Sequence, residues 1–177
     1  MKRTILILVM ALIFISTSFP GSAMAAGSFN LIFGKKSLDK SDWAPWESQV
    51  ELGFELALKK ESWPVSIVLS DIASVETVSD GVTAGTGELS LGVRYTTPAS
   101  DNVNVFVSGG VASIVVLISN GLVDVSERGT GYWADTGVTL NVTQSFNIGA
   151  RLRYSAAEAF GVKAGGFHYG ATLGFNF

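Results

Sequence analysis

No cysteine occurs in the 177 residues, which excludes a disulfide framework, a thiolate metal site and a lipid-anchored cysteine behind a leader. Rigidity must therefore come from the fold. Charge is also scarce, at 15% of residues with a net value of −3, and this mild acidity argues against a nucleic-acid partner. Histidine is reduced to His168 alone, so an imidazole-based metal site lacks ligands, and any Ser-His-acid triad would have to use that one ring. Beyond the first 15 residues there is no long apolar run either. The nearest, VASIVVLI from Val111 to Ile118, falls far short of the about 20 residues a spanning helix needs.

The first residues stand apart. Lys2 and Arg3 precede an unbroken apolar run from Ile5 to Ile15, followed by Phe19-Pro20 and the small-x-small trio Ala23-Met24-Ala25. This pattern predicts a secretory signal peptide over residues 1–25, cut before Ala26, with an exported domain over 26–177.

Within that domain the dominant pattern is alternation with period two, broken by Gly, Asn, Asp, Pro and Ser. It predicts eight strands: Ser28–Lys35, Gln49–Leu58, Val65–Ile72, Gly87–Tyr95, Val103–Ser113, Tyr132–Val142, Phe146–Ala156 and Gly165–Phe177. An even number of such segments suits an all-β, eight-stranded antiparallel up-and-down barrel. Asp71 shares parity with Ile67 and Leu69, and Val68 shares parity with Ser66 and Ser70, so a bulge or an early strand end is expected there.

Alternation does not say which face is inside, since a soluble barrel would bury the apolar set around a ligand. The other set decides it. In the second strand Val50, Leu52, Phe54, Leu56 and Leu58 alternate with Glu51, Gly53, Glu55 and Ala57, and elsewhere the second set is rich in Gly, Ala and Ser. Such residues make poor strand surface but fit a narrow, filled interior. The apolar face is therefore assigned to lipid and the charges to the lumen. Aromatics support the choice by falling near two rims: Phe29, Trp63, Tyr95, Phe146, Phe175 and Phe177 at the lower, and Phe33, Tyr132, Trp133, Tyr154, Phe167 and Tyr169 at the upper. Phe54 is the exception. Long connections (Lys36–Ser48, Ala73–Thr86, Ile114–Gly131, Ala157–Ala164) then lie at the upper rim and short ones at the lower, as extracellular loops lie over periplasmic turns.

The last residues, FHYGATLGFNF, alternate strictly and end on a phenylalanine. With them the chain resembles the small eight-stranded outer-membrane barrels of Gram-negative bacteria, the OmpX-like and OmpA-barrel-like proteins. The resemblance implies that Tyr169, Leu173, Phe175 and Phe177 form a C-terminal insertion signal, read by the barrel-assembly machinery after periplasmic chaperones escort the chain. It also implies a monomer in the outer membrane among its lipids and lipopolysaccharide; no OmpA-type peptidoglycan-binding domain is expected to follow, because the sequence ends with the barrel. Function transfers poorly, because the same architecture serves adhesion proteins, anchors, small transporters and lipid A enzymes.

Inside, Glu51, Glu55, Glu88 and Asp135 face Arg94, Arg151 and Arg153, with His168 near the top. Buried charges of both signs are expected to pair into a network that fills the barrel, leaving no pore. Glu51 and Glu55 lie about 13 Å apart along a pleated strand, too far to share a proton. His168 points inward, and the histidine-serine arrangement of the lipid A enzymes is not visible, so no catalytic residue and no cofactor is assigned. The first upper loop interleaves Lys35, Lys36 and Lys40 with Trp43 and Trp46, a set able to hold lipopolysaccharide phosphates and acyl chains. Asp71, Glu76 and Asp80 form a weak candidate for a divalent cation. The resulting expectation is a non-enzymatic barrel with a sealed interior and interacting extracellular loops; the alternatives are a lipid-modifying enzyme and a narrow channel or small hydrophobic-molecule transporter.

Overall fold

The structure, a computed structural model, describes residues 26–77, 82–119 and 124–177. The signal peptide expected over 1–25 and Asp80 lie outside the described residues. Among the described residues nine strands and one short helix follow in order: β1 (Ala26–Ser37), α1 (Lys40–Trp43), β2 (Ser48–Lys59), β3 (Ser66–Thr77), β4 (Thr83–Pro98), β5 (Val103–Ser119), β6 (Asp124–Asn141), β7 (Phe146–Ala159), β8 (Val162–Lys163) and β9 (Gly166–Asn176). Neighbouring strands pair antiparallel from β1 through β7, β9 pairs with both β7 and β1, and the sheet closes as a barrel of eight strands. The two-residue β8 is an extra hairpin arm on β7, turned through Phe160 and Gly161. Both have positive φ, 55° and 70°, the conformation a two-residue hairpin turn demands.

Closure ties down the end of the chain. Phe29 pairs with Phe175 and Leu31 with Leu173 across β1 and β9, and Gly27 and Phe177 exchange backbone hydrogen bonds of 2.7 and 2.9 Å. The alternation of the last residues thus completes the ladder that removes both sheet edges.

Accessibility follows parity. On β7, Asn147, Arg151, Arg153, Ser155, Ala157 and Ala159 are buried while Phe146, Ile148, Leu152 and Tyr154 are exposed. The exposed set round the whole barrel is apolar and the buried set carries the ions, the reverse of a water-soluble barrel. Outer-membrane location follows, since only acyl chains favour such a wall.

Three expectations need correction. The upper connections are largely strand: β3 runs to Thr77, β5 to Ser119 and β6 from Asp124, because ladder hydrogen bonds continue where alternation of side chains stops. The third and fifth strands need no bulge, since their pairing is unbroken; instead Val68 and Ile72 face inward and Asp71 faces outward, opposite Phe54 and Leu89. Trp133 is no girdle residue but lies in the lumen, 3% exposed. Glycine makes room for it, for a β-carbon on Gly92 would lie 2.6 Å from the Trp133 ring. Phe54, the aromatic outside both rims, stacks on Phe29 with ring centroids 6.2 Å apart.

Candidate functional site

The lumen is the densest chemistry in the molecule, and strand parity builds it. Odd positions of β2, β6 and β7 and even positions of β1, β4 and β9 bring four cations (Lys36, Arg94, Arg151, Arg153) and four acids (Glu51, Glu55, Glu88, Asp135) into the barrel axis, all buried. Equal numbers leave no net charge in a site where an isolated ion would cost several kcal/mol.

The layers can be read from the lower turns upward. Arg94 grips Glu55 with both guanidinium arms at 2.6 and 2.8 Å, and Arg151 bridges Glu55 at 3.2 Å to Asp135 at 2.5 Å. Bidentate geometry of this kind gives the strongest side-chain hydrogen bonds. Above it Arg153 donates to Glu88 and, at 3.2 Å, to Ser70, and its guanidinium stacks 4.3 Å over the Trp133 ring. Lys36 donates at 2.9 Å to both Thr86 Oγ1 and the Ala164 carbonyl.

His168 sits in a third layer. Its Nδ1 bonds Glu51 and its Nε2 lies 3.0 Å from the Ser155 hydroxyl. A histidine-serine-acid chain is therefore present, contrary to the expectation from sequence. Strand register would have found it: Tyr154 pairs with Phe167, so Ser155 and His168 are diagonal neighbours on the inner face. Hydrogen bonding alone does not make it a nucleophile. Ser155 is 1% exposed and also within reach of Glu88, so its hydroxyl is one member of a buried hydrogen-bond network.

The upper mouth is closed by packing. Leu38, Trp43, Ala84, Ile114, Val116, Ala157, Ala159 and Ala164 form one buried cluster, with Trp46 and Val162 against it. Helix α1 carries Trp43 inward, and its first turn is capped by Asp39, whose carboxylate accepts from the Ser41 amide at 3.0 Å. The Trp43 indole donates to the Lys163 carbonyl at 2.7 Å, and that of Trp46 to the Val82 carbonyl at 3.3 Å. Two members of the expected lipopolysaccharide-binding set are thereby removed from the surface: Lys36 is a lumen cation and Trp43 a plug residue, both buried. Lys35 is exposed and Trp46 half-buried, and the side chain of Lys40 lies outside what the structure describes. Asp71 and Glu76 lie on opposite faces of β3, and among the described residues no three metal-ligating side chains converge.

No protein-family model and no curated protein matches the chain. Solved structures do. Neisserial surface protein A superposes with a TM-score of 0.63 at 13% identity, covering 85% of this chain and 94% of that one. The N-terminal β-barrel domain of Pseudomonas aeruginosa OprF gives 0.61 at 18% identity over 88% and 100%. Ail, the attachment invasion locus protein of Yersinia pestis, gives 0.58 at 14% identity over 86% and 98%. At such identities the likeness is one of fold: the chain is a small eight-stranded barrel of the outer-membrane type.

Proposed function

We propose that this protein is a non-enzymatic outer-membrane barrel that holds extracellular strands and a folded first loop for surface interaction and envelope integrity. The observation that carries the reading is the filled lumen. Its middle is ion-paired and its top is packed with Trp43 and its neighbours, so the interior is committed to rigidity, while β4, β5 and β6, at 16 to 18 residues, exceed the about 9–11 a bilayer requires. The surplus length supports the upper rim as the working surface. Ail supplies a precedent in its own description as an attachment protein.

The partner on the membrane side is the lipid of the outer leaflet, lipopolysaccharide included. Its place moves from the first loop to a groove of about 600 Å³ on the upper outer wall, where Tyr132, Tyr154 and Phe167 stand beside Lys163 and Asp39. Aromatic rings at an interface with a cation above them fit an acyl chain below a phosphate.

Two measurements test the proposal. Planar-bilayer recording of the purified protein is expected to show no discrete conductance steps, and steps altered by Glu55→Gln or Arg151→Met would establish a channel instead. Mass spectrometry of lipid A and phospholipids is expected to give one profile for cells with the protein, without it, and with Ser155→Ala; a product peak lost in the alanine variant would make it an enzyme.

A further inference from the structure

The lower mouth differs from the plugged upper one, and it is not accounted for by a purely structural interior. A cavity of about 430 Å³ opens there, within the range of small-molecule sites and lined by asparagines from five strands. Asn147 donates at 2.7 Å to Asn176, which donates at 3.3 Å to Asn141, and Asn30 donates at 3.3 Å to Ser28 and 3.4 Å to Glu55. Every one of these donors is used. The acceptors are not: the side-chain oxygens of Asn30 and Asn147 have no partner, although the two residues are only 5% and 3% exposed. Both oxygens, with the Asn147 Nδ2 beside them, crowd the space over Gly174 that a β-carbon would fill. Two buried acceptors left without a donor carry an unrecovered desolvation cost, which the hydroxyl donors of a ligand would recover.

Electrostatics narrows the ligand. Arg94, already paired with Glu55, and Lys59 are the charged side chains of the lining, which offers no acidic side chain to a metal ion or ammonium group. The two bare carbonyl oxygens turn away an anion. What remains is a neutral molecule rich in hydroxyl donors, and the rest of the lining suits one: Thr96 and Thr139 add hydroxyls, and Phe177 adds an apolar ring for a face of C–H groups. We propose that this vestibule is a periplasmic saccharide site that receives one or two sugar rings, with Asn30 and Asn147 accepting from adjacent hydroxyls. The assignment to the periplasmic side uses the same short-turn orientation as the surface reading, but binding at this mouth does not depend on what the upper loops do.

The test is a titration of the purified barrel in a detergent without a sugar headgroup, followed by amide NMR, using di-N-acetylchitobiose as the probe. Saturable shifts centred on Asn30, Asn147 and Gly174 are expected, with affinity weakened about tenfold in Asn147→Val and in Asn30→Ala. Both variants are first checked for the gel shift of an unboiled barrel, and the wild-type titration decides on its own if neither folds. A second arm sediments the protein with insoluble peptidoglycan: pelleting that free disaccharide reverses identifies a glycan polymer, and soluble binding without pelleting identifies a free sugar. Absence of shifts at millimolar disaccharide, shifts confined to the lipid-facing wall, or equal binding by the folded variants would overturn the proposal and leave the two oxygens to ordered water. A bilayer recording that found a channel would sink the surface reading without touching this result.

Discussion

The lumen and the outer wall of this barrel treat the same polar groups in opposite ways. Inside, eight ions are tolerated because six of them pair with the opposite sign and the other two, Lys36 and Glu51, are held by hydrogen bonds to Thr86, the Ala164 carbonyl and His168; outside, one carboxylate, Asp71, stands half-buried among Phe54, Leu69 and Leu89. Polarity is therefore not what decides where a residue can sit. Pairing is, and the contrast can be broken from either side.

The largest effect is expected from Arg153→Ala. It removes a residue that bonds Glu88, Ser70 and Ser90 and that covers the Trp133 ring, leaving a buried carboxylate without its ion-pair partner. Such losses cost about 3–5 kcal/mol, whereas Arg153→Met with Glu88→Leu, which removes the pair and keeps the volume, is expected to recover most of it. Urea unfolding in micelles measures both. A double variant as weak as the single one would show that the ions do more than cancel.

The upper plug is the lumen's apolar counterpart. Trp43→Ala empties a side chain that is 4% exposed and deletes its bond to the Lys163 carbonyl, a change worth about 3–5 kcal/mol in an ordinary core. Here the cost falls on the first loop, because the barrel ladder below is unaffected. Cleavage in residues 38–47 by added protease is expected to quicken markedly, with the unboiled gel shift retained; unchanged cleavage would mean the loop is held without the indole.

On the outer wall the sign reverses. Asp71→Leu is expected to stabilise the barrel in lipid by about 1–2 kcal/mol, since an acid facing acyl chains near mid-strand is a net cost. If the leucine variant folds better and yet loses a surface phenotype, Asp71 is a contact for a partner in the membrane.

Much of this division was legible in the chain. A period of two puts Glu51 and Glu55 on one face and Leu52 and Phe54 on the other whatever the strand ends do, so the lumen ions could be chosen before any fold was known. Adjacent Tyr132 and Trp133 could not both face lipid, and parity with Asp135 points Trp133 inward; treating both as rim aromatics ignored that constraint. The Ser155–His168 contact needed strand register, which alternation does not supply. The plug needed the path of a loop, and nothing in the spacing of Trp43 and Trp46 distinguishes a residue folded into the mouth from one lying on a membrane. The lower vestibule was hidden for another reason, because asparagines near turns are what any turn contains.

The smallest expected effect lies where the plug meets solvent. Asp39 is partly exposed, and its carboxyl is held below the usual range chiefly by hydrogen bonds from the Ser41 hydroxyl and amide, with a lesser contribution from Lys163 on the β8 arm. These contacts favour the charged form, so whatever they add to loop order is fully present above the ordinary carboxylate range and is lost as pH falls through the depressed value. Solvent screening makes that addition small. Amide exchange at Ser41 and at Lys163, which also donates its backbone N–H to Asp42 at 3.2 Å, is expected to quicken together on acidification, and Asp39→Asn is expected to abolish the pH dependence at both positions. A Ser41 that responds while Lys163 does not would show that the cap of α1 and the β8 arm are separate attachments of the same plug.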